Sequence, residues 1–312
     1  MVHRRRSNLP ELLRPGDLVI ANDAATIPAS LHGTHQRTGS AIEVRLAVRE
    51  ADCFRAVVFG EGDFHMRTED RSLPPAMTLG DRLVLGPITA IVRGLLGHPR
   101  LLLLELQGNL WSGLALHGKP VQYSHMQQPL QLWDVWTPIA ARPVAFESPS
   151  ASFTLSWEMI AAIRDRGAKF ATITHAAGIS STGNEELDRL LPFDEPYIIP
   201  AYTANAIKQA RVSGGRVIAI GTTVVRALEH AAKGNLVVAG SGIANQKIGA
   251  GTRLQVVDAI FSGTHEPDTS HFELLRAFTE DSTLLRASDE LNANGYLTHE
   301  FGDSVLIERR IA

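Results

Sequence analysis

The sequence predicts an α/β protein, a mixed and mainly parallel sheet covered by helices, with an inserted β-barrel-like domain. Two observations predict it. Between residues 16 and 146 short apolar runs follow one another closely (DLVIA, IEVRLAV, CFRAVVF, DRLVLG, ITAIV and RLLLLEL), broken by Gly and Pro and with no helical period between them. Beyond Pro149 strands alternate with helix-length segments, the pattern of a sheet with helices on its faces. Because the strand-like DLVIA precedes the β-rich stretch, the α/β domain is expected to be discontinuous, residues 1–30 and 146–312, with 31–145 as the inserted barrel.

The second half is read element by element. WEMIAAIRDR, residues 157–166, has apolar residues at helical spacing and stops at Gly167, after which KFATITH is strand-like. A helix is expected over 204–211, a strand at RVIAIG, and a helix from Thr222 through Lys233 closed by Gly234. Strands LVVAG and LQVVDAIF, helices within 272–280 and 282–291, and a closing strand DSVLIER complete the alternation.

Composition sets outer bounds. With 312 residues and 44% hydrophobic content the chain exceeds the size at which one core usually splits, so two domains are expected. A net charge of −3 gives no global positive field to attract a polyanion, so any nucleic-acid contact must be local. Arg4, Arg5 and Arg6 read as a solvated tail. The single cysteine, Cys53, excludes an intrachain disulfide, fits a reducing compartment, and is expected in the core. No apolar run is long enough to span a membrane, and the N-terminal arginines run into Pro-Glu rather than a signal-peptide core. A soluble, cytoplasmic monomer or weak oligomer without membrane contact is expected.

The motifs narrow the chemistry. In GRVIAIGTTVVRALEHA a buried strand ends at Gly221 and a helix starts with Thr222 and Thr223, whose hydroxyls can cap the first turn while the free amides there can hold an anion or a polar ligand atom. Arg226 and Glu229 are three apart and share a helix face, so both are expected to look toward a ligand. GSGIAN lacks the third glycine of a dinucleotide fingerprint. The 12 histidines form no HExxH or short ligand pair, which argues against a metal site. His175 and His265 each follow a strand, at the rim where open α/β sheets collect ligands. There is no GxSxG elbow, Walker loop or SxxK.

Taken in order, these segments resemble the S-adenosylmethionine:tRNA ribosyltransferase-isomerase family of queuosine biosynthesis. PGDLVIANDAATIPASLHG resembles the family's GDL...N...IPA.L.G opening, GRVIAIGTTVVRALE its GTTSVR.LE segment, LQVVDAIFSGTHEP its VVD.L.TNFHLP, and GYLTHEFGDSVLI its closing GDAM.I. SPSASFTLSWEMIAAIRDRGAKFATITHAAGIS resembles the Pro-containing helix entry and the strand ending in histidine. The resemblance implies an α/β domain with an inserted β-barrel. It also implies S-adenosylmethionine as co-substrate, no prosthetic group, and transfer of its ribosyl part to a deazaguanine base of tRNA. The sulfonium acidifies the adjacent C5′ hydrogens, so a positioned base can start that reaction.

Carried over by motif, the implied catalytic residues are His175, His265 and Asp303. The implied substrate-binding residues are Asn22, Asp23, Pro149, Gly221, Thr222, Thr223, Arg226, Glu229 and Gly302. The sequence also departs from the family. Asp23-Ala24-Ala25 stands for Asn-Thr-Arg, Ser30 for the IPAR arginine, Thr154 for the histidine after APTAGL, and LPFDEPYI for a segment of the form EH..MH. Two alternatives therefore remain: S-adenosylmethionine chemistry on a small-molecule acceptor, or a non-catalytic ligand- or RNA-binding relative.

Overall fold

The structure, a computed structural model, describes residues 1–234, 236–264, 269–298 and 301–310. In its first part β1 (Leu18–Asn22), β2 (Ala24–Thr26), β3 (Ser30–His35), β4 (Ala41–Glu50), β5 (Cys53–Phe59), β6 (Arg82–Leu85), β7 (Ile88–Leu95) and β8 (Leu101–Gln107) lead to helix α1 (Leu110–His117) and β9 (Arg142–Ala145). The second part contains α2 (Trp157–Asp165), β10 (Lys169–His175), α3 (Glu185–Asp188), β11 (Glu195–Ile199), α4 (Ala201–Val212), β12 (Val217–Ile220) and α5 (Thr222–His230). The short hairpin strands β13 (Ala232–Lys233) and β14 (Leu236–Val237) follow, then β15 (Gly240–Ala244), β16 (Ala259–Gly263), α6 (Ser270–Leu275), α7 (Asp281–Ala293) and β17 (Ser304–Glu308).

Seven strands form one sheet in the order β15-β11-β10-β1-β12-β16-β17. Its centre, β10-β1-β12-β16, is parallel; β11 and β17 run against it, and the edge strand β15 pairs antiparallel with β11 and so runs with the centre. The reason lies in the strand sequences. In β1 successive residues point to opposite faces, yet Leu18, Val19, Ile20 and Ala21 are all fully buried. Leu18 and Ile20 pack with Ile207 of α4 and Leu228 of α5, and Val19 and Ala21 with Ile163 of α2. An unbroken apolar run thus marks a strand covered on both faces.

Between β2 and β9, β3-β4-β5-β8-β7-β6 close into a six-stranded barrel. Alternate residues Ile42, Val44 and Leu46 of β4 fill its interior with Val58, Leu85, Leu102 and Leu104. The opposite face of the same strands is buried as well. Val57 and Phe59 pack outward against Ile179, Leu187, Leu191 and Phe193 of the α/β part. Glu43 and Arg45 also face out of the barrel, where Arg45 Nε donates to Glu43 at 2.7 Å and Arg71 Nη1 donates to it at 2.5 Å. The guanidiniums of Arg45, Arg71 and Arg100 lie 4.9, 5.0 and 4.9 Å from the Phe59 ring.

Several local expectations are corrected. The β-rich half contains helix α1, capped by Asn109 Oδ1 accepting from Ser112 N at 3.2 Å. Cys53 opens β5 half-buried rather than inside the core. The helix beginning at Thr222 ends at His230, because Ala232–Lys233 pairs with Leu236–Val237 instead. In LQVVDAIF only the second half is strand. GSGIAN holds edge strand β15, paired with β11, and makes no phosphate turn. Strand β11, EPYII, was not anticipated. Among the described residues no helix is long and apolar enough to cross a membrane.

The barrel's outer charge cluster has a pH consequence. Burial opposes ionisation of Glu43, but Arg45 and Arg71 outweigh it and hold its pKa at about 2 against an ordinary 4.5. Its contribution to stability is complete above the unfolded value and is lost as pH falls through the folded one, an effect of roughly 3 kcal/mol. Urea unfolding between pH 5 and pH 2 should therefore be less steep in pH for Glu43→Gln than for the parent chain. Identical slopes would show that Glu43 titrates normally.

Candidate functional site

The chain leaves β1 through the barrel, returns to β10 on one side of β1, and later adds β12 on the other. Such a switch in strand order opens a crevice at the carboxyl ends of the strands. A cleft of about 960 Å³ lies there, lined by residues 147–151, 177–181, 220–223 and 247–252, with Arg226, Glu195 and Asp188. Its volume is at the upper end of the roughly 300–1,000 Å³ typical of small-molecule sites.

Gly221 turns β12 into α5 with φ +91°, a left-handed conformation that favours glycine, and an added Cβ would press on Ala151 at 3.3 Å. No side chain caps this helix, so the first-turn amides of Thr222 and Thr223 are presented at the cleft. Pro149 also lines the cleft, at the head of the short helical turn Ser150–Thr154.

Beneath this turn lies a charge network that sequence reasoning missed. Glu195, the first residue of β11, is buried and lines the cleft floor. Its Oε1 accepts from Gly178 N at 2.6 Å, and its Oε2 faces His175 Nε2 at 2.9 Å and accepts from Arg226 Nη1. Burial alone would raise its pKa, but His175, Arg226 and the Gly178 amide together hold it below the ordinary range. Arg226 Nη2 donates to the carbonyls of Phe193 at 3.2 Å and Ala244 at 2.9 Å, and its buried Nε has no partner among the described residues. Arg226 therefore belongs to the floor and acts on the cleft mainly through its charge.

His175 is brought to the same place, but in a different role from the expected base. Its ring is fully buried, with Nδ1 2.6 Å from the Thr223 carbonyl and Nε2 on Glu195. Both nitrogens are engaged by partners within the protein, so neither is open to a ligand. Asn22 fixes the adjoining strand ends. Its Oδ1 accepts from His175 N at 2.9 Å and its Nδ2 donates to His175 O at 2.9 Å and Thr223 Oγ1 at 3.4 Å.

Other expected residues lie away from the cleft lining. Glu229 does not share Arg226's outlook: its carboxylate accepts from the amides of Gln255, Val256 and Val257 at 2.7, 2.9 and 2.8 Å. The three-residue spacing turned it toward the loop entering β16, whose amides have no ladder partner. Asp23 accepts from Thr172 Oγ1 at 2.8 Å and Thr174 Oγ1 at 2.6 Å on β10. Asp303 accepts from Leu297 N at 3.0 Å and its carbonyl from Thr264 N at 3.0 Å, closing a loop that contains the buried Gly302. His265 lies outside the described residues.

The family model described as "Queuosine biosynthesis protein" matches residues 1–307. The chain belongs to this family. Curated relatives named S-adenosylmethionine:tRNA ribosyltransferase-isomerase are similar along nearly its full length. One from Thermus thermophilus is 31% identical over 98% of this chain and 88% of its own. That from Synechococcus elongatus is 29% identical over 98% and 85%. A crystal structure titled S-adenosylmethionine tRNA ribosyltransferase, from Thermotoga maritima, is 23% identical over 96% of this chain and 86% of that one, with a TM-score of 0.48. Within the family pattern, the Gly221–Thr223 turn keeps its glycine and both threonines. Glu195 stands in LPFDEPYI, a segment that departs from that pattern and carries no sequence signal of a buried charge.

Removing the anion should expose the cost of the network. Glu195→Gln leaves Arg226 in the floor without its counter-charge, and urea denaturation should show a loss of about 3–5 kcal/mol. A loss below about 1 kcal/mol, the size of an ordinary exposed pair, would mean that the floor does not depend on this charge.

Proposed function

We propose that the protein transfers the ribosyl part of S-adenosylmethionine to a deazaguanine base of tRNA, with loss of adenine and methionine and rearrangement of the sugar. The observation that carries this reading is the family match along the whole chain, joined to a cleft at the strand ends that is built around the family's Gly-Thr-Thr turn. The volume of about 960 Å³ leaves room for two reactants. In this reading the substrate's α-carboxylate meets the open amides of Thr222 and Thr223, with Gly221 and Pro149 shaping the walls and the Arg226 charge reinforcing the attraction from beneath. Asn22 and His175 hold the turn in place. Asp23, Glu229, Gly302 and Asp303 support the surrounding loops.

The proton on C5′, acidified by the sulfonium, needs a base open to the ligand. His175 is enclosed, so we assign that role to His265, two residues beyond the end of β16. The reading also puts the protein in the cytoplasm with its tRNA. It treats residues 1–30 with 146–312 as the S-adenosylmethionine-binding unit and 31–145 as the inserted barrel unit.

One observation favours a second acceptor class. Glu69, Glu147, Glu185, Asp188 and Glu273 line the cleft against Arg189 and Lys247, a balance that repels phosphates near its mouth and suits a small cationic acceptor. Pure protein with S-adenosylmethionine and aminomethyl-deazaguanine-modified tRNA should release adenine. Release with the free base and none with tRNA would establish the small acceptor, and no release with either would overturn the enzymatic reading. His265→Ala should abolish release while S-adenosylmethionine still binds; full turnover would remove His265 as the base.

A further inference from the structure

Glu147 lines the cleft one residue before Ser148-Pro149, and its position is set from outside the α/β part. The Tyr123 hydroxyl donates to Glu147 Oε1, and Ser180 N donates to the same oxygen at 3.0 Å. The same hydroxyl lies 3.3 Å from Ser181 N and 3.4 Å from Ser180 Oγ, so it ties the carboxylate to the Ser180–Ser181 turn of the cleft wall.

Tyr123 itself is located by the barrel. The segment before it is anchored by reciprocal bonds between Ser30 and Lys119, N to O at 2.9 and 2.8 Å. Gln122 closes the following loop, accepting from Leu130 N at 3.0 Å and donating to Gln128 O at 2.6 Å. The Arg45 guanidinium lies 5.4 Å from the Tyr123 ring and is itself held by Glu43. Burial of the hydroxyl and the charge of Glu147 push the Tyr123 pKa well up against the pull of Arg45, which keeps the phenol protonated as a donor.

We infer that Tyr123 is a positioning residue that fixes Glu147 as the group facing the sulfonium of S-adenosylmethionine. The inference rests on the function proposed above and deepens it. The Tyr123 phenol and the Ser180 amide together fix Glu147 Oε1 at the cleft wall. The negative charge of the carboxylate acts on a sulfonium, which has no N–H to donate and is held by charge alone. The donors also keep the carboxylate aimed.

The probe is the pair S-adenosylmethionine and S-adenosylhomocysteine, which share carboxylate, ammonium and adenosine and differ by the sulfonium charge. Calorimetric Kd values for both ligands give a preference ratio. Glu147→Gln should reduce the parent's preference for the sulfonium at least tenfold, Glu147→Asp should restore part of it, and Tyr123→Phe, which keeps the ring over Arg45, should reduce it severalfold. A merely structural role would weaken both ligands equally and leave the ratio unchanged, and that result overturns the inference, as does a change in Glu147→Gln with none in Tyr123→Phe. Thermal melts of each variant identify any loss of folding. If the parent chain binds neither ligand, the failure lies with the proposed function.

Discussion

Glu195 enters the interior as a charge, and three donors from three different segments meet it there: the Gly178 amide, the His175 ring and the Arg226 guanidinium. A buried carboxylate is tolerable only when its lone pairs are taken, so each of those segments must arrive where it does. β10 brings His175, α5 brings Arg226, and the loop after β10 brings Gly178. The Gly221–Thr223 turn follows, because His175 Nδ1 also contacts the Thr223 carbonyl. The amides presented at the cleft are therefore set by the Glu195 charge beside them.

The barrel contributes to the same cleft through polar side chains on its outer face. Arg100 donates to the carbonyls of Thr182 and Gly183 at 2.9 and 3.2 Å, and an added Cβ at Gly183 would collide with the Thr68 carbonyl. The cleft wall at 177–188 is thus pressed against the barrel with no room for a side chain at that point. Asp188 in that wall is held above the ordinary carboxylate range by burial, despite donors from Thr182 and Ser181. Barrel and sheet share one cleft wall, and a change in Phe59 or its arginines has a route to the cleft.

Much of the fold was legible because both kinds of sheet leave a periodic trace. The doubly covered β1 and β12 appear as unbroken apolar runs, and the barrel strands as closely spaced short ones. Elements whose identity depends on partners far away in sequence were not legible. EPYII becomes a strand by pairing with β10 and β15, while the first half of LQVVDAIF is kept out of the sheet by Glu229. At the site, the turn at Gly221 could be read because a glycine between an apolar strand and a helix start leaves a residue signature, although the threonine caps that the sequence suggests do not form. The partners of Glu195 and Glu147 could not, since a single carboxylate in a mixed segment reads the same whether it is solvated or buried against an arginine. The spacing of Arg226 and Glu229 gave a shared helix face and no indication that the two would serve different neighbours.

A crystal structure of the protein with S-adenosylmethionine bound tests the central claim most directly. The account predicts the α-carboxylate on the Thr222 and Thr223 amides above the Glu195–Arg226 pair, with the rest of the molecule between residues 147–150 and 247–252. Density for the ligand at any other place, with the strand-end cleft empty, would contradict it.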